Sequence, residues 1–138
     1  MQNKKDIDIS SEKETMSVKI KAHYLPYYQE DVATGKICLL ITDQESRQKI
    51  RNVTESLCGE GAKIPLKWHK KDCKLIAKAD KVRCMKGRET CILSEMLGLE
   101  VDVTIELRKY SIVSRYENNR GEKIQGTHAV VVSMQTEV

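Results

Sequence analysis

Residues 101–135, VDVTIELRKYSIVSRYENNRGEKIQGTHAVVVSMQ, carry the clearest structural signal of this 138-residue chain. Val101, Val103, Ile105 and Leu107 alternate with Asp102, Thr104, Glu106 and Arg108. Successive strand side chains point to opposite faces, so a period of two sets an apolar face on a core and a polar face in water. The next segment holds Asn118, Asn119 and Gly121, which tolerate positive φ, and THAVVVSMQ returns as a second apolar run. The reading is a long antiparallel hairpin with arms of about 12 and 9 residues.

Upstream, TCILSEMLG clusters Ile92, Leu93, Met96 and Leu97 at helical spacing with Gly98 behind, which predicts a short helix over 90–98. Before it, Leu75, Ala77 and Ala79 share one strand face, and Val82 and Cys84 rejoin that face after a slip at Asp80–Lys81. A slip of one residue is what a β-bulge produces. Ala62 to Trp68 reads as the preceding strand, joined to it through HKKDC.

Ile50, Val53 and Leu57 give a narrow apolar stripe that predicts a helix over about 43–58, with Gly59 and Gly61 as its stop. Thr42 is the expected N-cap, with Glu45 three residues on completing a capping box. KICLLIT, 36–42, is a continuous apolar run suited to a central strand. Val18, Ile20 and Ala22 alternate with lysines in a half-buried strand that Pro26 ends. The segment around Tyr24, Tyr27 and Tyr28 is an expected loop.

Residues 1–16 are polar and aperiodic, and are expected to form a flexible tail on a single globular domain over 17–138. The element order is then β-β-α-β-β-α-β-β. That order belongs to the α+β class, mainly antiparallel, and allows a small barrel plugged by helices. An oligonucleotide-binding-type barrel is one member of that class, commonly with a helix ahead of its last hairpin, where 90–98 falls.

Composition bounds the function. The apolar fraction is 40% with no Phe, which permits a core that is lean in aromatic bulk. The N-terminal stretch MQNKKDIDISSEKET lacks the apolar centre of a secretory signal, and the longest apolar runs are far short of a membrane span. Five cysteines, Cys38, Cys58, Cys73, Cys84 and Cys91, are odd in number and irregular in spacing. They read as reduced thiols of a cytoplasmic protein rather than a disulfide framework.

The net charge of +4 is unevenly spread. Residues 63–88 hold Lys63, Lys67, Lys70, Lys71, Lys74, Lys78, Lys81, Arg83, Lys86 and Arg88 against Asp72 and Asp80 alone, a local +8, while the other 112 residues sum to −4. This is the electrostatic footprint of a polyanion site, although lysines also decorate solvated strands and protect sheet edges. If the slip is a bulge, Lys74, Lys78, Lys81 and Arg83 keep one solvent face, with Lys67, Lys70 and Lys71 beside them across the turn. Such a row, repeating at about 7 Å, suits the phosphates of a single strand.

Two readings are open for Trp68, the chain's one tryptophan: stacking on a base, or anchoring a Phe-free core. Tyr27 and Tyr28 form a second aromatic group able to stack, with weaker claims for Tyr110 and Tyr116. No basic recognition helix is visible, because Arg47, Lys49 and Arg51 on 43–58 are balanced by Glu45 and Glu55.

Catalytic and metal signals are weak. The cysteines and His69 form no C-x-x-C or H-x-x-x-H pair, so no metal or other cofactor is expected. Asp72–Cys73–Lys74 has the acid-x-lysine form of some metal-dependent nucleases, but it needs an upstream partner acid on a neighbouring strand and the basic section offers only Asp80. A Cys73–His69 pair lacks a third orienting group. The expectation is a non-catalytic nucleic-acid-binding protein, for single strands rather than duplex, with little sequence specificity. The expected contacts are Lys67, Trp68, Lys70, Lys71, Lys74, Lys78, Lys81, Arg83, Tyr27 and Tyr28. The alternatives are a subunit docking an acidic protein partner or self-associating, and a small metal-dependent nuclease.

Overall fold

A computed structural model describes residues 15–25, 35–113 and 123–137. The alternating stretch becomes β6 (Glu100–Val113), which runs antiparallel to β7 (Lys123–Thr136), so the expected hairpin forms with longer arms. β1 (Thr15–Leu25) lies along β6, with Val18 opposite Ile105 and Ile20 opposite Val103. The end of β1 also pairs with β2 (Lys36–Ile41). β2 in turn pairs with the first half of β4 (Asp72–Lys86), and the second half of β4 runs parallel to β7. Five strands thus close a ring in the order β1–β2–β4–β7–β6. Closure leaves these strands no long free edge.

The ring is filled by residues that alternation marked in β1, β4 and β6 and by the apolar runs of β2 and β7. Val18, Ile20, Ile37, Leu39, Ile41, Leu75, Val101, Val103, Ile105, Leu107, Val131 and Met134 are all buried. Tyr24 is the one aromatic residue of this core among the described residues. The β-bulge falls where the phase slip put it: the β4–β7 register shifts between Ala79 and Arg83, and Lys81 sits at φ 56°.

The helix α1 (Gln44–Cys58) packs chiefly on β1 and also touches β6 and β7. It covers β1 where β2 no longer pairs with it: the Lys21 backbone N–H donates to Ser46 Oγ at 3.0 Å, and Lys49 Nζ to the Lys19 carbonyl at 3.3 Å. Thr54 and Thr127 share a fully buried hydroxyl–hydroxyl bond of 2.8 Å between helix and β7. The N-cap is Asp43 rather than the expected Thr42, with Asp43 Oδ2 accepting from the Ser46 backbone N–H at 3.1 Å. A carboxylate there caps as well as a hydroxyl and also opposes the positive end of the helix dipole.

Two expectations need correction. The described residues hold one α-helix, not two: Glu89–Cys91 forms β5 against β4, and Leu93–Met96 makes a single 3-10 turn. Gly87 at φ 60° lets the chain reverse within two residues of β4, so the ladder claims 89–91, and Gly98 at φ 84° turns the chain again. Too few residues remain between those turns for a helix. Met96 alone of the four apolar residues is fully buried, while Ile92 and Leu97 are exposed.

The strand expected from Ala62 starts only at Leu66, as β3 (Leu66–His69). Pro65 has no N–H to donate, and Lys63 instead makes a lone parallel bridge to Gly126. That close approach needs glycine, because a Cβ at 126 would lie 2.6 Å from the Lys63 carbonyl oxygen. Residues 1–14 of the expected tail lie outside the described residues, whereas Thr15 and Met16 pair with Arg108 and Leu107.

Candidate nucleic-acid interface

β3 pairs only with β4, along the Asp72–Leu75 stretch whose other edge carries β2, so β3 is an edge strand added to the ring and forms a short ribbon with that end of β4. Its tip is the two-residue turn Lys70–Lys71 between His69 and Asp72. Lys70 has φ 58°, in the left-handed region where a side chain is costly. The two described non-glycine residues with positive φ are Lys70 and Lys81, both in the basic section. Both side chains are exposed, one at the hairpin tip and one at the bulge.

The register sorts the expected contacts onto two faces. Lys67 stands directly opposite Lys74, and Lys36 opposite Lys78. Directly opposed residues share a face, so these four lysines lie together on the outside of β2, β4 and β3. Lys67, Lys78, Lys81 and Arg83 are exposed, and Lys74 is half-buried. The ~7 Å repeat does not hold along β4, because Ile76 stands between Lys74 and Lys78 and puts about 13 Å between their Cα atoms. The close spacing runs across the strands instead.

Opposed like charges are destabilising in a sheet unless something neutralises them. Among the described residues the one ion pair is Arg108 with Glu106, at 2.7 Å. No described carboxylate is ion-paired with a lysine of this face, and the described carboxylate nearest along β4 is the exposed Asp72, two residues from Lys74. The face extends onto β7 and β6, where His128 neighbours Lys78 and Arg108. Burial first, and then the positive charge of those two residues, holds the His128 imidazole below its ordinary pKa. The Tyr110 ring lies 6.3 Å from that of His128.

Trp68 is on the other side of the ribbon. It opposes Cys73, which opposes the buried Ile41, so Trp68 shares their face and not that of Lys67. Yet Trp68 is 58% exposed, because β3 stands outside the closed ring. The core-anchor reading is thereby excluded. One face of the indole is backed by Arg47 of α1, whose guanidinium carbon is 5.4 Å from the ring centroid. Arg47 is itself held by a 3.2 Å bond from its NH1 to the Ile41 carbonyl.

Arg51, one helical turn on, lies on the same side. The charges of Arg47 and Arg51 both act to lower the pKa of Cys73, against the larger upward push of burial. The result is an exposed aromatic ring backed by one guanidinium, in a cationic surround. Lys70 and Lys71, both exposed at the tip, stand between this ring and the outer lysines.

Sequence reading grouped Trp68 with its neighbouring lysines and missed Arg47, Arg51 and Lys36. The adjacency of Lys67 and Trp68 on one strand was the available signal that they part to opposite faces. Tyr27, Tyr28 and Tyr116 lie outside the described residues.

The acid-x-lysine motif gains no partner: Asp72 is exposed beside the turn, and no group of three or more His, Cys, Asp or Glu among the described residues could hold a metal ion. Of the five cysteines, Cys38, Cys73 and Cys84 are buried, and Cys58 and Cys91 are half-buried. No helix among the described residues is long and apolar enough to cross a membrane. No protein-family model matches the chain, and neither does any curated protein or solved structure.

Proposed function

We propose that this protein binds single-stranded nucleic acid without catalysis, using the ribbon of β3 and β4 and the adjoining face of β2. The observation that carries the reading is the two opposed lysine pairs, Lys67 with Lys74 and Lys36 with Lys78, none of them ion-paired with a described carboxylate. Self-repulsion of this kind is a cost to the fold, and a polyphosphate backbone relieves it by replacing condensed counterions with lysines. Phosphate contacts position a ligand without reading its sequence, so little specificity is expected.

The closure order supports an OB-like barrel. Counted along the ring, the strands run first, second, third, fifth, fourth, with the third and fifth parallel. Barrels of that kind take oligonucleotides on the face of their second and third strands. Those strands here are β2 and β4, which carry Lys36, Lys74 and Lys78. The helix departs from the usual place, lying between the second and third strands.

The test is the ratio of absorbance at 260 to 280 nm after purification at low and at high salt. Nucleic acid that co-purifies at low salt and is stripped at high salt is the expected result. A protein-like ratio under both conditions, with no binding of an added oligonucleotide, would sink the reading. It would leave the lysines as a solvated face or a dock for an acidic protein.

A further inference from the structure

We infer that the bound strand passes around the tip and free edge of the β3–β4 ribbon, placing phosphates on the outer lysines and a base on Trp68. This rests on the nucleic-acid reading and adds the ligand's path and a reason for its single-stranded character. Lys67 and Lys74 face outward, while Trp68 faces the helix side of the same two strands. A ligand that uses both must cross from one face to the other. The route is short, because β3 is the last strand of the sheet and the exposed Lys70 and Lys71 occupy its turn.

Flexibility decides which polymer can follow that route. A duplex stays straight over about 150 base pairs, so it cannot fold over the edge of a sheet about 10 Å thick. A single strand bends at each nucleotide, and its unpaired bases have free faces to stack. The plate that would receive a base is already fixed: Arg47 covers one side of the indole and is anchored to the Ile41 carbonyl. Little ordering entropy is then lost when the other side stacks. Arg47 and Arg51 supply charge for the phosphate that follows the stacked base.

Because Trp68 is the chain's one tryptophan, its emission reports on this site alone. The experiment titrates the full chain at low salt with dT15, dT4, a 15-base-pair duplex and inorganic polyphosphate. Binding of dT15 is followed by Trp emission and by the anisotropy of a labelled oligonucleotide. The expected result is strong quenching by dT15, and binding of polyphosphate and duplex without quenching. dT4 should bind far more weakly than its share of the length implies.

Trp68→Ala should weaken dT15 binding about 5- to 150-fold, the range for loss of one stacked base, while Trp68→Tyr restores most of it and the duplex affinity is unchanged. Trp68 is exposed, so neither variant threatens folding, and the quenching arm needs no variant. If dT15 binds with steep salt dependence but neither quenches Trp68 nor responds to Trp68→Ala, the strand stays on the outer face. The wrapped path is then overturned and the nucleic-acid reading stands. Equal binding and quenching by the duplex also overturns it, and failure of all four probes to bind overturns both.

Discussion

At the scale of single residues, the basic section holds side chains that the fold would not choose for stability. Lys70 occupies a left-handed turn position that costs an ordinary residue about 1–2 kcal/mol. Glycine would relieve that strain and give back about 0.5–1 kcal/mol through the entropy of the unfolded chain. Lys70→Gly is therefore expected to raise stability by up to about 1 kcal/mol, measured by thermal or urea unfolding. The same change should weaken oligonucleotide binding; unchanged binding would remove Lys70 from the site.

His128 allows a second test. Its folded pKa lies below the ordinary 6.5, first because of burial and then because of Lys78 and Arg108. The unfolded side chain takes up its proton first as pH falls. Stability should thus be full above pH 6.5 and decline below it, toward the folded pKa. His128→Gln should remove that part of the decline. An NMR titration of His128 at or above 6.5 would contradict the positive environment assigned to this face. At this scale the sequence showed which residues are charged, and the alternation that parts Lys67 from Trp68 was present in it although the two were read as one group. It did not show Arg47 over Trp68, because 21 positions separate the two and only the packing of α1 beside Ile41 brings them together.

At the scale of elements, legibility follows how local the cause is. The bulge at 80–82 was readable because a phase slip is written in consecutive residues, and the β6–β7 hairpin because its alternation is long. The second helix was misread because four apolar residues in a nine-residue stretch satisfy a helix or a pair of turns equally, and the pairing of β5 with β4 decided between them. The seating of α1 was not readable, since it depends on contacts distant in sequence. One of these is the buried bond of Thr54 with Thr127, 73 positions apart. Thr54→Val should leave the Thr127 hydroxyl buried and unsatisfied and cost about 1–3 kcal/mol, whereas the double change with Thr127→Val should recover much of it. Denaturant unfolding of the four forms measures this. Additive losses would mean that the two hydroxyls act separately. Asp43→Ala should cost about 0.5–2 kcal/mol by removing the N-cap, and Thr42→Ala much less, which tests the corrected cap directly.

For the whole molecule, the apolar pattern announced a β-rich domain, but ring closure rests on β2 with β4 and β4 parallel to β7, pairings that join distant parts of the chain. Nothing in a strand's own residues names its partner. Closure nevertheless shapes the proposed site, because it consumes the free edges of five strands and leaves β3 outside, with Trp68 in solvent. It also places the lysines of three strands side by side, which makes their charge a collective property. If four to six cations engage a single strand, the logarithm of its affinity should fall against the logarithm of salt concentration with a slope of about −3 to −4, at roughly −0.7 per phosphate contact. Replacing Lys67 and Lys74 by Gln should flatten that slope by about 1.4. The double variant should also be slightly more stable than the parent, by about 0.2–1 kcal/mol, because it removes an opposed like-charge pair from the ribbon. Affinity and stability then move in opposite directions, which a change that merely damages the fold cannot produce. A solvated face predicts the gain in stability with no change in slope. A face that docks an acidic protein predicts a slope near zero for the oligonucleotide in both forms. Measuring both quantities on the same two proteins, across a salt range of about tenfold, separates these three cases.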